Sequence, residues 1–525
     1  MMFLKAYKEQ LLILFAILIL AIFSFNNYQH QINPDGIAYI SIAKFYLNGN
    51  FDIAINGYWS PLFSILLIPF LLLRIPDIVA TKILSVILCF LIVLMIRRIL
   101  IILKVSKLLL FIVCIASCPL FLFYGFSVIT PDLLVVLVML CYLKSIIIFF
   151  SKPTLSSAKW VGLFGGIGYL AKSYIFPFFF LNLLVIGILF YVKFRKDLNN
   201  KQMLKLLAAV ITSMLIICVP WILLISTKYN ILTISTSGAY NWGLINPQNM
   251  GIHYMQYTNF VMPVDSRFPN AWVDPSYMNM PQWNPLGNVE NFRYFLSRIF
   301  LNLYSLYKYI KIFPILIPLI GVLIYEFLCN YKKRITSFFV SSLNIKIILL
   351  TSILFPLGYF LVLIEERYVW FLFASMIIGF ALLYEKILIR FPNGGRRILI
   401  YLILIIIMSY FANNNIQTLL GQNKNDEVFN ISKIIAKEVD LKDKIIANQS
   451  DDLNWFMHLS YFLDGEYYGQ YYTDNVSASV FYADLKEKNI NYYFVHGEPK
   501  FDMSKFTLVF SSEETFLKLY KIDNL

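Results

Sequence analysis

Residues 11–25 read LLILFAILILAIFSF and residues 33–39 read NPDGIAY, so an uncharged apolar segment is followed closely by an acidic residue. Lys5 and Lys8 precede the apolar segment, and the positive-inside rule therefore places its far end, with Asp35, on the outer face of a membrane. A carboxylate there is either a general base that activates an incoming nucleophile or the cap of a helix that starts at Gly36. These residues alone leave both alternatives open.

The composition of the whole chain indicates a membrane protein. Of its 525 residues, 59% are hydrophobic and 14% are charged, with a mean hydropathy of +0.69. A soluble domain could not bury that much apolar surface. No small-residue cleavage site follows the first apolar segment, so we expect an uncleaved anchor. The formal charge of +14 does not indicate nucleic-acid binding, because the basic residues are scattered between apolar segments, as topology signals are.

Apolar segments recur along most of the chain and predict membrane-spanning helices. With the first helix, Leu11–Phe25, they make about eleven spans, and Leu62–Leu73, too short to cross unaided and framed by prolines, is expected to be re-entrant or on the surface. The sequence therefore predicts a polytopic α-helical membrane protein with about 11–13 transmembrane helices. The other predicted spans are Ile78–Ile96, Leu108–Tyr124, Leu133–Phe150, Trp160–Ala171, Ile175–Val192, Leu206–Ile225, Ile310–Leu328, Ile347–Ile364, Val369–Tyr384 and Ile398–Ala412.

The connections between these spans alternate between basic and non-basic, which gives a topology. Clusters of Lys and Arg mark the cytoplasmic loops, including Arg97 and Arg98, Lys332 to Arg334, and Arg396 and Arg397. The opposite connections, together with the tail after Asn413, are then external. Six ionisable residues fall on this external face next to apolar spans: Asp35, Asp132, Lys172, Glu365, Glu366 and Arg367.

Charges at membrane depth are costly and commonly mark a functional site or a buried ion pair. Each of these residues also has an ordinary structural explanation. Asp132 could cap a helix that starts at Leu133, Lys172 could snorkel from a helix end, and Arg367 could form a surface bridge with a neighbouring glutamate. Their coincidence on one face favours a shared site.

Two further regions lie outside the apolar spans. The external loop 227–309 carries Trp242, Trp272, Trp283 and several prolines, so it is either a rigid aromatic-belt loop or a lid that contacts a lipid tail or a sugar ring. We expect residues 1–424, with external loops 26–61 and 227–309, to form the membrane domain and residues 425–525 a small extracytoplasmic α/β domain. Its predicted elements are helices at Val428–Val439, Leu453–Phe462 and Val476–Lys488 and strands at Lys444–Asn448, Tyr492–Val495, Thr507–Phe510 and Leu517–Ile522.

The C-terminal region contains no glycine-rich phosphate loop and no nucleophile elbow, so we assign it no catalysis. The six cysteines fall in or beside apolar spans and are expected to act as small hydrophobic residues. The four histidines show no ligand spacing, and His253 stands alone in the long loop. We therefore predict no metal site from these side chains.

Several short motifs carry a resemblance to a known family. The run from Asp35 through Trp59-Ser60-Pro61-Leu62, the turn Thr130-Pro131-Asp132-Leu133, the element Gly168-Tyr169-Leu170-Ala171-Lys172-Ser173 and the late Glu366-Arg367-Tyr368 follow one another in order. This pattern resembles the C-superfamily (GT-C) membrane glycosyltransferases, within them the branch of the lipid A aminoarabinose transferases and the protein O-mannosyltransferases. The resemblance spans nearly the whole chain, including the α/β tail.

The resemblance implies an enzyme that moves a hexose or pentose from a polyprenyl-phosphate donor to an acceptor hydroxyl or lipid phosphate, with inversion, at the extracytoplasmic face of a bacterial plasma membrane. It implies Asp35 as general base and Asp132 as a second catalytic acid, with Tyr39, Glu365 and Glu366 in support. Lys172, Arg367 and Tyr368 would bind the donor phosphate. The partners are the donor lipid and a lipid, glycan or protein acceptor, without nucleic acid; no cofactor is certain, and a divalent metal is left open.

The chain departs from the family pattern at two positions. Gly36 follows Asp35 where many members have a second carboxylate, and Ser60 stands where many have a lysine before the proline. The second departure moves the expected phosphate-binding role to Lys172 and Arg367. The alternatives are a lipid-linked polysaccharide polymerase or ligase and a transporter or flippase; against a transporter, the sequence shows no internal repeat.

Overall fold

The computed structural model describes residues 7–321, 343–392, 394–421, 425–449, 452–472 and 476–523. Within these ranges, nine helices are long and apolar enough to cross a membrane, so the chain is a multi-pass α-helical membrane protein, as predicted. They are Lys8–Asn27, Asp77–Ile102, Lys107–Ser127, Asp132–Ser151, Ile175–Phe194, Asn200–Tyr229, Leu343–Phe360, Glu366–Arg390 and Gly395–Leu420.

The remaining helices of the bundle are shorter or more polar. Leu155–Ala171 has 17 residues and Leu62–Leu72 has 11, whereas Val289–Ile312 is a long amphipathic helix of the loop region. The predicted span Ile310–Leu328 begins wrongly, because Ile310 belongs to Val289–Ile312; the rest of that span lies partly outside the described residues, as do Lys332, Lys333 and Arg334. The predicted span Ile347–Ile364 is interrupted, since helix Leu343–Leu354 ends before Pro356 and only Leu357–Phe360 follows.

Glycine allows two helices of the bundle to pack closely. A Cβ atom at Gly162 would lie 1.9 Å from the carbonyl oxygen of Val210, and helices Leu155–Ala171 and Asn200–Tyr229 therefore pack backbone to backbone. Beyond this contact the Tyr169 hydroxyl donates to the Ile234 carbonyl at 2.8 Å. The packing thus brings the start of the long loop beside Lys172, which follows directly after Ala171.

The C-terminal region contains a five-stranded mixed sheet. Its strands are β1 (Ile445–Gln449), β2 (Glu466–Tyr471), β3 (Tyr492–His496), β4 (Thr507–Ser512) and β5 (Leu517–Lys521), in the order β2-β1-β3-β5-β4. β1 pairs in parallel with β2 and β3, and β5 is antiparallel to β3 and β4. Four strands match predicted ones within a few residues, while β2 was not predicted. Helices Asp426–Glu438, Leu453–Phe462 and Ala478–Glu487 accompany the sheet.

The C-terminal region contacts the membrane bundle through polar pairs. The Tyr461 hydroxyl donates to Asp77 at 2.9 Å, and the same carboxylate accepts from Lys44 at 2.5 Å. His30 pairs with Asp426 at 2.7 Å at the end of the first helix. Helix Gly395–Leu420 continues past Asn413, where the predicted tail begins, and the Leu420 carbonyl accepts from the Asn27 side chain at 2.6 Å.

Candidate active site

Asp35 lies in the first turn of helix Pro34–Leu47, not at its cap. The capping position is Asn33, which has an extended backbone, and Pro34 is the first helical residue. The side chain of Asn33 accepts from the Ile129 amide at 2.8 Å instead of capping its own helix. The interpretation of Asp35 as the cap of a helix starting at Gly36 is therefore wrong, and its carboxylate is directed to other partners.

Gly36 determines how closely this helix approaches the turn before Asp132. A Cβ atom at Gly36 would lie 2.8 Å from the Cβ of Ile129, closer than side chains normally come. With glycine at this position, the helix packs directly on the segment that leads into Thr130 and Asp132. The absence of a second carboxylate after Asp35 thus has a structural reason, because any larger residue would push the two segments apart.

The two oxygens of Asp35 are held by different partners. Oδ2 accepts from Arg367 Nη1 at 2.7 Å, and Oδ1 accepts from the indole nitrogen of Trp272 at 3.1 Å. Arg367 and Asp35 are about a fifth exposed, so the pair is largely shielded from water but remains reachable. Charge-assisted hydrogen bonds of this kind are short and strong, and they fix the orientation of the carboxylate.

Glu365 and Glu366 have different roles in the structure although they are adjacent. Glu365 accepts from Arg367 Nε at 2.6 Å and from the Tyr368 hydroxyl at 3.2 Å. Glu366 begins the short 3-10 helix Glu366–Val369, and its side chain faces a second cavity. Arg367 therefore bridges Asp35 and Glu365. The sequence predicted only the pairing with a neighbouring glutamate.

The second ion pair of the site is Lys172 with Asp132, whose atoms Nζ and Oδ1 are 2.6 Å apart. Asp132 is the first residue of helix Asp132–Ser151, makes no side-chain cap bond and is 4% exposed. Burial lowers the pKa of the Lys172 ammonium, and the Asp132 carboxylate partly offsets this shift. The buried pair explains both charges better than capping or snorkelling does.

The ring of Tyr368 lies close to both cations. Lys172 Nζ is 3.8 Å from the centre of this ring and the Arg367 guanidinium carbon is 5.3 Å from it. Tyr368 also stacks on Tyr359 at 4.8 Å, and Tyr359 stacks on Tyr174 at 3.9 Å. The two cations near one ring are paired with three carboxylates, those of Asp35, Asp132 and Glu365.

These groups line one cavity of about 440 Å³. Tyr39 contributes to the wall, with its ring packed against Trp59 and Phe63, and Ser60 lines it as well. The long loop covers the cavity with His253 and Trp272, and helix Leu453–Phe462 of the C-terminal region adds Leu453, Asn454 and Met457. A second, more open cavity of about 420 Å³ shares Asp35, Glu365 and Arg367 with the first.

Sequence reasoning missed two residues of this cavity as individual site residues. Trp272 was expected only as one of several loop aromatics, and His253 was set aside because it stood alone. In the structure the His253 ring lies 5.2 Å from the Trp272 ring, and Nδ1 of His253 is 3.1 Å from the Tyr240 hydroxyl. Burial lowers the pKa of His253, although the nearby Asp35 and Glu365 act in the opposite direction. His253 therefore adds a polar ring to the cavity wall.

In the described part of the chain, no three side chains of His, Cys, Asp or Glu lie close enough together to hold a metal ion. Asp35 and Glu365 share one arginine, so a divalent ion there would take its remaining ligands from water or a bound phosphate. The five described cysteines are free and buried, as expected for small hydrophobic residues, and Cys329 lies outside the described residues.

No protein-family model matches this sequence, and no curated protein matches it. The structure, in contrast, is similar to ArnT, a lipid A aminoarabinose transferase, from Cupriavidus metallidurans bound to undecaprenyl phosphate, with a TM-score of 0.58 and 12% identity over 98% of both chains. The chain has the ArnT fold. The apo state of the same ArnT gives the same values, and the oligosaccharyltransferase of Archaeoglobus fulgidus gives a TM-score of 0.46 at 11% identity, over 92% of this chain and 69% of that one.

The likeness to ArnT extends from the first helix to the C-terminal sheet, because 98% of each chain is covered. The resemblance in fold that the sequence predicts is thereby confirmed.

Proposed function

We propose that this chain is a glycosyltransferase that transfers a sugar from a polyprenyl-phosphate donor to an acceptor hydroxyl. The observation that carries the proposal is the placement of Asp35, between Arg367 and Trp272, in the same cavity as the Lys172–Asp132 pair. A carboxylate beside two cations can accept a proton while the cations neutralise a phosphate leaving group. The ArnT fold supports the choice of a lipid-linked donor.

The donor phosphate would bind to the N–H groups of Lys172 and Arg367 that the contacts described above do not use. The Arg367 guanidinium has five N–H donors and the Lys172 ammonium has three, and the contacts described above use two and one of them. A phosphate oxygen can therefore approach both cations without removing Asp35 from Arg367. The ring of Tyr368, which lies near both cations, would pack against C–H groups of the sugar.

Transfer would proceed by a single displacement. The acceptor oxygen attacks the anomeric carbon, its proton passes to Asp35, and the bond between the anomeric carbon and the phosphate oxygen breaks. Polyprenyl phosphate leaves with the bonding electrons, and the configuration at the anomeric carbon is inverted. Lys172 and Arg367 stabilise the negative charge that develops on the leaving group. This electrostatic stabilisation is stronger in a water-poor cavity than it would be in water.

The aromatic cover of the cavity suits a sugar ring. Tyr58, Trp59, Tyr240 and Trp272 contact one another edge to face, with ring centres 4.5–5.9 Å apart, and all but Tyr240 line the cavity. Sugar rings present C–H groups that pack on such faces, and the rings also exclude water from a reactive donor. This arrangement supports the lid interpretation of the long loop.

The test of the proposal is transfer by the purified protein. The protein is incubated with polyprenyl-phosphate sugars and membrane extract, and the products are identified by mass spectrometry. Asp35→Asn should lower the rate by roughly 100-fold to 10,000-fold, the usual effect of losing a general base, while donor binding is retained. Asp52→Asn is the matched control, because Asp52 is exposed and pairs with Arg267 outside the cavity. Near-normal turnover by Asp35→Asn would remove Asp35 from the mechanism.

The proposal places the site on the extracytoplasmic face, and labelling of introduced cysteines tests this. Ser479 is exposed in the C-terminal region, and Lys196 is exposed after helix Ile175–Phe194, whose 20 residues lead away from Lys172. A membrane-impermeant maleimide should label Ser479→Cys in intact cells and Lys196→Cys only after permeabilisation. The reverse pattern would invert the proposed topology.

A further inference from the structure

The C-terminal sheet has one edge that the long loop covers. β2 is the outermost strand and pairs with β1 on one side only. On its other side the Tyr467 amide donates to the Pro269 carbonyl at 2.7 Å, and Asn270 pairs with Tyr467 as a parallel bridge. The loop therefore extends the sheet by main-chain hydrogen bonds, which satisfies groups that an edge strand otherwise leaves open.

A second attachment point lies about ten residues earlier in the loop. The Phe260 amide donates to the Gln470 carbonyl at 3.2 Å, and the Asn259 side chain accepts from the Tyr472 amide at 2.8 Å. The Phe260 ring is 3% exposed and packs on Tyr471 in the core of the C-terminal region. The segment from Asn259 to Asn270 is thus fixed to β2 at both ends.

Trp272 follows this attached segment after a single residue. Residues Ala271–Val273 form a 3-10 turn, and the Trp272 carbonyl accepts from the Trp59 indole at 3.2 Å. The Val273 carbonyl accepts from the side-chain amide of Asn56 at 2.8 Å. Trp272 is therefore held from one side by the sheet edge and from the other side by the first loop, so its indole has little freedom to leave Asp35.

We infer that the C-terminal region takes part in sugar transfer by positioning, with Trp272 as the residue through which it acts on Asp35. The inference rests on the proposed function, because it takes Asp35 as the general base. Arg367 holds Oδ2 and Trp272 holds Oδ1, so the carboxylate plane is fixed from two directions. The remaining lone pairs then point in set directions, which orients the carboxylate for proton transfer from an acceptor.

This arrangement gives the C-terminal region a role although it contributes no catalytic residue. β2 positions Pro269 and Asn270, these position Trp272, and Trp272 orients Asp35. In addition, the first turns of helix Leu453–Phe462 form part of the cavity wall. A change in the C-terminal region should therefore alter the turnover number more than it alters donor binding, because the donor phosphate is bound by residues of the membrane bundle.

The first experiment removes the indole N–H and keeps an aromatic ring. Trp272→Phe should lower kcat by roughly 10-fold to 100-fold, the effect expected for losing a hydrogen bond to a charged group, with the donor KM changed less than about twofold. The matched control is Trp283→Phe in the same loop, whose indole donates to the Trp242 carbonyl and does not line the cavity. This control should retain the kcat of the parent.

The second experiment tests the attachment to the sheet. Phe260→Ala removes the buried ring that holds the loop to β2. Phe506→Ala is the control, because Phe506 is a buried ring of the same core but does not belong to the long loop. We expect Phe260→Ala to lower kcat at unchanged donor KM, and Phe506→Ala to retain kcat at temperatures where both variants are folded. Thermal unfolding of each variant establishes that temperature.

The outcomes separate the inference from the proposed function. If the parent protein transfers no sugar from any polyprenyl-phosphate donor, the proposed function fails. If the parent transfers sugar and Trp272→Phe matches Trp283→Phe in kcat, the positioning role is refuted while the function stands. Equal losses of kcat in Phe260→Ala and Phe506→Ala would likewise overturn the role of the sheet edge, because they would reflect general destabilisation of the C-terminal core.

Discussion

Replacement of Arg367 by lysine tests whether the planar guanidinium, and not only its charge, is needed in the site. Arg367 contacts two carboxylates with different atoms: Nη1 lies 2.7 Å from Asp35 and Nε lies 2.6 Å from Glu365. A lysine ammonium is a single point of charge on a flexible stem and cannot reproduce this fork. Arg367→Lys should therefore keep the charge and lose one of the two contacts.

The magnitude follows from the contact that is lost. A hydrogen bond to a charged group contributes roughly 1.5–3 kcal/mol, and the lower end applies because the Arg367 side chain is 19% exposed and partly screened. About 1.4 kcal/mol corresponds to a tenfold change in a rate or binding constant. We therefore expect Arg367→Lys to lower kcat/KM for the donor by about tenfold, and Arg367→Ala to lower it further because the charge is also lost.

The assay is steady-state transfer and direct donor binding in detergent at fixed salt. The matched control is Arg267→Lys, because Arg267 also pairs with two carboxylates, Asp52 and Asp265, on the surface outside the cavity. That variant should transfer sugar like the parent. If Arg367→Lys keeps the parent's kcat/KM, or if Arg267→Lys loses as much, the guanidinium of Arg367 does not act on the donor in the proposed way.

Three further predictions follow from the structure. Glu365→Gln should lower kcat/KM by roughly threefold to tenfold because Arg367 loses an ionic contact, whereas Glu366→Gln should have little effect on the donor; steady-state kinetics of both variants decide this. Gly36→Ala should lower transfer by at least about tenfold at unchanged expression, because its new Cβ displaces the helix that carries Asp35. His458→Leu should reduce the loss of thermal stability that the parent shows between about pH 6.5 and pH 4, measured as apparent melting temperature.

The sign of the last effect follows from burial of His458, which lowers its pKa to about 4. Between that value and about 6.5 the unfolded chain binds a proton that the folded chain does not, so stability falls as the pH falls, by a total on the order of 3 kcal/mol. His496→Leu is the control for the same substitution at an exposed position, the end of β3. Gly379→Ala is the control for Gly36→Ala, since a Cβ at Gly379 would meet no atom within 4 Å.

The helices of the bundle could be predicted from the sequence because their apolar runs end at charged or turn residues. Asp132–Ser151 extends the predicted Leu133–Phe150 by one residue at each end. The errors have equally local causes. The run Ile347–Ile364 contains no charged residue, so hydropathy alone does not reveal the break at Pro356. β2 escaped prediction because its sequence EYYGQY has no clear alternation and includes Gly469, which has a positive φ of 93°.

The candidate site was predictable as a set of charges but not as a set of partners. Topology from Lys and Arg counts placed Asp35, Asp132, Lys172 and Arg367 together, and the cavity contains all four. Lys172 pairs with Asp132, 40 residues away in the sequence, and Arg367 pairs with Asp35, 332 residues away. Both pairings depend on how the helices pack, which the sequence does not show. Trp272 reaches Asp35 across 237 residues, and no local pattern distinguishes it from Trp242 or Trp283.

The balance of charge in the cavity bears on how a donor could enter. Three carboxylates, those of Asp35, Asp132 and Glu365, face two cations in a partly buried space, so a phosphate adds negative charge to a site that already carries an excess of it. Binding then requires Lys172 and Arg367 to share their N–H donors between these carboxylates and the phosphate. Trp272 gives Asp35 a neutral donor that does not take part in this sharing. We therefore expect the indole to matter most after the donor has bound, when Arg367 divides its hydrogen bonds between phosphate and base.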